Sequence, residues 1–317
     1  MNIQASLWKP WCNVVYNRHS IDEQIAMCKR LQADCISIKG TNGIYVFGAA
    51  ENFSSLSLFK DYNNDVVEQA AKAEGLSVDM WCWVDLKYPD LEADAIHRAV
   101  KRWNPKRVKL DLEGTAKINA ANTGAFMRSL GILRRHDGSR CEVYIQSYRR
   151  PDLHPEILWN KWLTYEADGQ FIITGMAPQA YPIGSQDFVG DFQRMLVANM
   201  TILLKANRRD IVWHVTLPTF RESGWNPTPD ALISGIDFLR SDLGDLLIGV
   251  DYWRIGQLWE SWGEEIARAL ALYEWGETDE PIPVEDSTWV DDVRASAAAI
   301  REQADLLDTI ANNGETT

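Results

Sequence analysis

The 317 residues are 46% hydrophobic and 24% charged, a balance that suits a folded globular chain and excludes a disordered or collagen-like one. No apolar run is long enough to span a bilayer, and the opening MNIQASLWKPW lacks the basic-then-apolar order of a secretory signal, so no membrane insertion is expected and a cytoplasmic location is. Much of the net charge of −13 falls in residues 277–317, with 11 acidic and 2 basic side chains; the remainder is mildly acidic, and no basic patch points to nucleic acid.

Eight short β-branched or aromatic runs alternate with amphipathic stretches along the chain. The first run, 12–17, is followed by Ser20-Ile21-Asp22-Glu23, a capping box that opens a helix. The second run is 35–39, and the helix after it ends in AAKAE before Gly75, a residue suited to a helix C-terminus. Runs at 77–85, 107–113, 141–148 and 171–181 follow. Phe188, Phe192, Met195, Leu196, Ile202 and Leu203 then form one apolar helical face. The seventh run, 211–219, precedes Thr228-Pro229, an N-cap with proline at the first helical position, and the eighth is 246–253. Cys12, Cys28, Cys35, Cys82 and Cys141 are odd in number, widely spaced and without a C-x-x-C pair. They predict reduced thiols, neither a disulfide framework nor a zinc site.

Strict alternation predicts a parallel sheet, and eight units is the number that closes a (β/α)₈ TIM barrel, an α/β fold. A doubly wound open sheet would carry a Gly-rich phosphate loop after an early strand, and none is present. The barrel is expected over 1–275. Residues 276–317 form an acidic, proline-containing linker and an extra C-terminal helix over 286–312. That helix repeats Val293, Ile300 and Leu307 at seven, a stripe suited to docking on the barrel or to pairing copies into a homo-oligomer.

Residue alternation divides each strand into a helix-facing and an inward set. In the fourth run Val108, Leu110 and Leu112 face the helices, while Lys109, Asp111 and Glu113 point inward, Glu113 nearest the C-terminal mouth where such barrels keep their active sites. The same parity brings in Ser37 and Lys39; Trp81, Trp83 and Asp85; Tyr144, Gln146 and Tyr148; Gln179 and Tyr181; His214 and Thr216; Asp251 and Trp253. Asp111 and Glu113, two apart on one face, repel, so one holds a proton while the other ionises, the division of labour of a glycosidase. The structural alternative is an ion pair of Lys109 with Asp111.

The stretches ISIKGTNGIYVF, AAKAEGLSVDMWCW and RVKLDLEG resemble the family 25 glycoside hydrolases, lysozymes that cut peptidoglycan. Ile38-Lys39-Gly40 through Gly43 matches their second-strand motif, and Asp111 and Glu113 match their D-x-E. That family's first-strand aspartate is replaced here by Asn13 and Asn17, which moves a second carboxylate to Asp251. The chain also resembles the family 18, chitinase-like hydrolases, whose fourth strand ends in D-x-D-x-E. Lys109 stands at the first of those aspartates; Met176, Tyr181 and Trp253 echo a sixth-strand Met…Tyr pair and an eighth-strand Trp. Both resemblances imply Glu113 as proton donor. The second implies attack by the substrate's own acetamido group, held by Asp111 and a tyrosine.

The leading reading is a glycosidase of an N-acetylated polysaccharide, peptidoglycan preferred, needing no cofactor or metal and suited to a phage lysis or virion protein. Glu113, Asp111 and Asp251 are the catalytic candidates; Lys39, Trp83, Asp85, Tyr148, Gln179, Tyr181, His214 and Trp253 are the substrate-binding ones, with Trp225 a further stacking platform. The rival is a catalytically inactive barrel serving as a structural or carbohydrate-binding subunit assembled through the C-terminal helix. No H-E-x-x-H, G-x-S-x-G or P-loop occurs, so metalloprotease, serine hydrolase and NTPase readings have no footing.

Overall fold

A computed structural model of the protein describes residues 19–47, 63–181, 187–221, 226–253, 255 and 258–275, and the backbone alone of 11–13. The side chain of Asn13, residues Asn17 and Trp225, and the expected C-terminal helix with Val293, Ile300 and Leu307 lie outside the described residues.

Eight parallel strands close into a barrel in the order β1 (Trp11–Asn13), β2 (Cys35–Asn42), β4 (Ser77–Trp83), β5 (Arg107–Asp111), β6 (Glu142–Gln146), β9 (Gly175–Met176), β10 (Val212–Pro218) and β11 (Leu247–Trp253). Closure comes from β1, which pairs with β2 on one side and β11 on the other. Two hairpins are added: β3 (Tyr45–Val46) folds back on β2, and β7 (Glu166–Ala167) pairs with β8 (Gln170–Phe171). Around the barrel run α1 (Ile21–Arg30), α2 (Asn64–Ala73), α3 (Pro89–Trp103), α5 (Thr123–Leu130), α7 (Phe188–Lys205), α8 (Pro229–Leu243) and α9 (Gly263–Leu272). The short α4 (Thr115–Ile118) and α6 (Trp159–Leu163) follow β5 and β6. No helix among the described residues is long and apolar enough to cross a membrane.

The helix signals act as their chemistry predicts. Glu23 N–H donates to Ser20 Oγ at 3.2 Å while Ser20 N–H donates to Glu23 Oε2 at 2.7 Å, satisfying two donors at the start of α1. Gly75 follows α2 at φ +76°, a conformation that glycine adopts without a Cβ penalty. Thr228 Oγ1 accepts from Ala231 N–H, and Pro229 opens α8. Cys28, Cys35, Cys82 and Cys141 are buried and unbridged.

Val108, Leu110 and Leu112 are wholly buried in the layer between barrel and helices, with Ile36, Ile38, Met80, Cys82, Val143 and Ile145. The opposite parity fills the barrel itself. Its floor is a small apolar plug of Cys35, Tyr144 and Ala177 with Val212 and Ile248 against it. Beside it Arg107 binds Asp79 through its backbone N–H at 2.8 Å and its guanidinium at 3.4 Å, and reaches Glu142 at 3.1 Å.

Three of the strand boundaries that differ from the sequence reading shape the barrel interior. The sixth run is paired as strand only at Gly175–Met176, with a single further bridge between Gln179 and Thr216; Phe171 belongs to the β8 hairpin instead. Pro178 interrupts the donor ladder there. Gly175 lets the Tyr144 ring lie against the backbone, since a Cβ would come within 2.5 Å of it. The second strand runs on to Asn42 through a bulge between Lys39 and Thr41; a Cβ on Gly40 would meet Met80 Sδ at 2.9 Å. The fourth strand stops at Asp111, so Glu113 stands past its end, just before Gly114 turns the chain at φ +44°.

Candidate active site

From the floor upward, the interior changes from closed ion pairs to an open mouth. Lys109 Nζ donates to Asp251 Oδ2 across the barrel, from β5 to β11, in an ion pair whose partners are 1% and 0% exposed. Thr216 Oγ1 adds a longer hydrogen bond to the same oxygen at 3.4 Å. The expected alternative, Lys109 with Asp111, is therefore corrected: Lys109 spends its charge on Asp251. His214 is wholly buried nearby, and burial first, then the charges of Lys109 and Arg107, pushes its imidazole well below the usual range, so it is neutral. Neither Asp251 nor His214 reaches the mouth.

Asp111 lies one layer above, 6% exposed, and among the described residues nothing hydrogen bonds its Oδ1. Burial, and next the charge of Glu113, pushes this carboxyl well above the ordinary aspartate value against the opposing pull of Lys39 and Lys109. Asp111 is thus the member of the pair that keeps a proton. Glu113 is partly exposed and held from across the barrel, where Gln179 Nε2 donates to its Oε1 at 2.7 Å.

The mouth is walled by aromatic rings on both sides of this pair. Trp81 and Trp253 meet edge to face at 5.3 Å. Lys39 Nζ lies 4.7 Å from the Trp81 ring, 5.0 Å from Phe47 and 6.0 Å from Trp83. Burial lowers the Lys39 pKa, and Asp111 is the strongest charge opposing that. Trp83 Nε1 donates to Asp85 Oδ1 at 2.7 Å, and Thr115 Oγ1 donates to the same oxygen, so Asp85 ties the end of β4 to the start of α4.

On the far side, burial and then Glu113 push the Tyr148 phenol up to about 12, opposed by a hydrogen bond from the Gly114 backbone. Its ring carries Lys117 Nζ at 4.3 Å and packs on His154 at 4.1 Å. Tyr181 meets Phe220 edge to face at 5.2 Å. Met176 is wholly buried in the outer core, so it shares no face with Tyr181's surroundings.

The structure therefore gathers Asp111, Glu113, Gln179 and Tyr148 around one point, with Lys39 and the tryptophans beside it. It leaves Asp251 and His214 sealed below. Phe47 and Lys117 were not legible as site residues: one follows a hairpin, the other sits on a one-turn helix, and inward strand parity marks neither. Among the described residues no group of three His, Cys, Asp or Glu side chains is arranged to hold a metal ion.

No protein-family model matches the sequence, and no curated protein matches it. Solved structures do. A GH18 chitinase from Pseudoalteromonas aurantia matches at TM-score 0.53 and 13% identity, over 82% of this chain and 99% of that one. A chitinase from Chromobacterium violaceum matches at TM-score 0.56 and 8% identity, over 84% of this chain and 100% of that one. The spore cortex-lytic enzyme SleL of Bacillus megaterium matches at TM-score 0.50 and 8% identity, over 86% and 76%. At such identities the likeness is one of fold: a TIM barrel. Of the two resemblances read in the sequence, it falls on family 18, the second, and not on family 25.

Proposed function

We propose that this barrel hydrolyses an N-acetylated glycan, with the proton that Asp111 keeps in the free enzyme passing to Glu113, which delivers it to the leaving oxygen. The observation that carries the reading is the unequal pair at the mouth. Asp111 is buried with an oxygen that no described group hydrogen bonds, and Glu113 is partly exposed and aimed by Gln179. Burial, with the Glu113 charge added to it, favours the protonated form of Asp111. Glu113, the outer member, is the one a glycosidic oxygen can approach.

The fold likeness to chitinases supports substrate-assisted chemistry, in which the acetamido oxygen of the substrate attacks the anomeric carbon and no protein nucleophile is needed. Asp251 is engaged by Lys109, which argues against its serving as that nucleophile. Once its proton has passed to Glu113, the Asp111 carboxylate can accept the N–H of the attacking acetamide and steady the positive charge that forms there, and Tyr148, close to Glu113, shares in holding that group. The tryptophan faces supply stacking surfaces for sugar rings. Peptidoglycan strands are the first substrate to try and chitin-type oligomers the second.

The test is release of reducing ends from both glycans by the wild type and by Glu113→Gln, with folding checked by thermal melt. The expected loss is about 10²–10⁴-fold, the usual contribution of a general acid. Equal turnover by the variant removes Glu113 from this role. A wild type that binds such glycans and cleaves none favours the inactive, carbohydrate-binding barrel.

A further inference from the structure

The glycosidase reading needs a proton donor, a neighbouring carboxyl and stacking faces; it does not need a cation at the mouth. Two are there. In the strand order β2, β4, β5, β6 they flank the carboxyl pair: Lys39 comes from β2 on one side, and Lys117 lies against Tyr148, just beyond β6, on the other. Lys39 is the more telling. Its ammonium is drawn partly out of water onto the faces of Trp81, Phe47 and Trp83, within electrostatic reach of the Asp111 and Asp85 side chains. Lys117 Nζ contacts His154 Nδ1 at 3.0 Å and Glu156 at 3.8 Å.

Desolvating an ammonium is costly, and a neutral glycan gains nothing from it that a hydroxyl or an amide would not supply. The rest of the barrel does not help: residues 1–276 are mildly acidic, so no long-range field draws an anionic polymer in. An anionic substrate is then recognised only if cations sit where its charge arrives.

Resting on the hydrolytic reading above, we infer that the mouth selects an N-acetylated glycan that carries carboxylates, and that Lys39 is the residue that reads them. Such a carboxylate sits on a lactyl ether or on a uronic-acid ring; the recognition chemistry is shared, an ammonium against a carboxylate over an aromatic floor.

Two series of N-acetylated oligosaccharides test this, one with lactyl carboxylates and one with uronic acids, each paired with its own primary amide of the same length. Binding is measured by calorimetry to the Glu113→Gln chain, and cleavage with the wild type. In at least one series the free acid is expected to bind about 10- to 100-fold more tightly than its amide. Lys39→Met brings that ratio to near one, while Lys39→Arg keeps it. Because the ratio is taken within each variant, partial loss of folded protein does not mimic the result. The responding series identifies where the carboxylate lies.

No preference for the acid in either series, or a preference that survives Lys39→Met, overturns the inference. If the acid is preferred but nothing is cleaved, the inference stands and the hydrolytic reading falls. If acid and amide are cleaved alike, the hydrolytic reading stands and the inference falls. Failure of every compound to bind overturns both.

Discussion

Asp251 and Asp111 are both buried inside the same barrel, about one layer apart, and the chain treats them in opposite ways. Asp251 is met by the ammonium of Lys109 and the hydroxyl of Thr216, so its charge is answered on the spot. Asp111 has one oxygen that no described group hydrogen bonds, and burial, then the neighbouring Glu113, makes it keep its proton instead. The first arrangement is a closed structural tie between β5 and β11. The second leaves a carboxylic acid unspent at the mouth, and that is how a folded protein holds reactive chemistry in store. Lys109 links the two: by pairing with Asp251 it gives Asp111 only a secondary pull, weaker than burial.

The largest stability effect is expected where the tie is cut. Lys109→Met leaves Asp251 as a buried charge without its cation, which should cost about 3–5 kcal/mol in denaturant unfolding, and Lys109→Met with Asp251→Leu should recover much of that. A single variant as stable as the wild type would show that the pair does not hold the barrel.

Asp111→Asn should act in the other direction, raising stability by about 0.5–2 kcal/mol at neutral pH while reducing turnover. The sign follows from its raised pKa. The folded state holds the proton more tightly than the unfolded chain, so the stability this gives is fully present below the ordinary aspartate value near 3.9 and is lost as pH rises through the raised one. The gain from asparagine should therefore vanish in acid and grow toward neutrality. The same ionisation adds a second charge beside Glu113, so the alkaline limb of the wild-type rate profile should be missing or displaced in Asp111→Asn. A gain that is the same at all pH values would contradict this assignment.

Gln179→Ala removes the donor that aims Glu113 and should lower kcat about tenfold with a smaller change in KM, as loss of orientation does. Tyr148→Phe should be milder, a few-fold in kcat, because one hydrogen bond with the Gly114 backbone is lost and the ring under Lys117 remains.

Much of the fold could be read in the sequence because strand periodicity and helix caps are local signals. The parity of Val108, Leu110 and Leu112 against Lys109 and Asp111 put the right set inside. The cross-barrel pairing of Lys109 was not legible, since the strands that carry it are 142 residues apart and parity says only that both side chains point inward. The early end of the fourth strand and the shortness of the sixth came from backbone features, Gly114 and Pro178, whose effect depends on neighbours the sequence does not name. Repulsion alone did not decide which carboxyl keeps the proton. Burial decided it, and burial is a property of the closed barrel.

The measurement that bears most directly on the contrast between the two aspartates is infrared detection of a protonated carboxylic acid at neutral pH. The wild type should show its carbonyl band, shifting on deuteration, and Asp111→Asn should lose it. A wild type without that band, or a band unchanged in Asp111→Asn, would contradict the account.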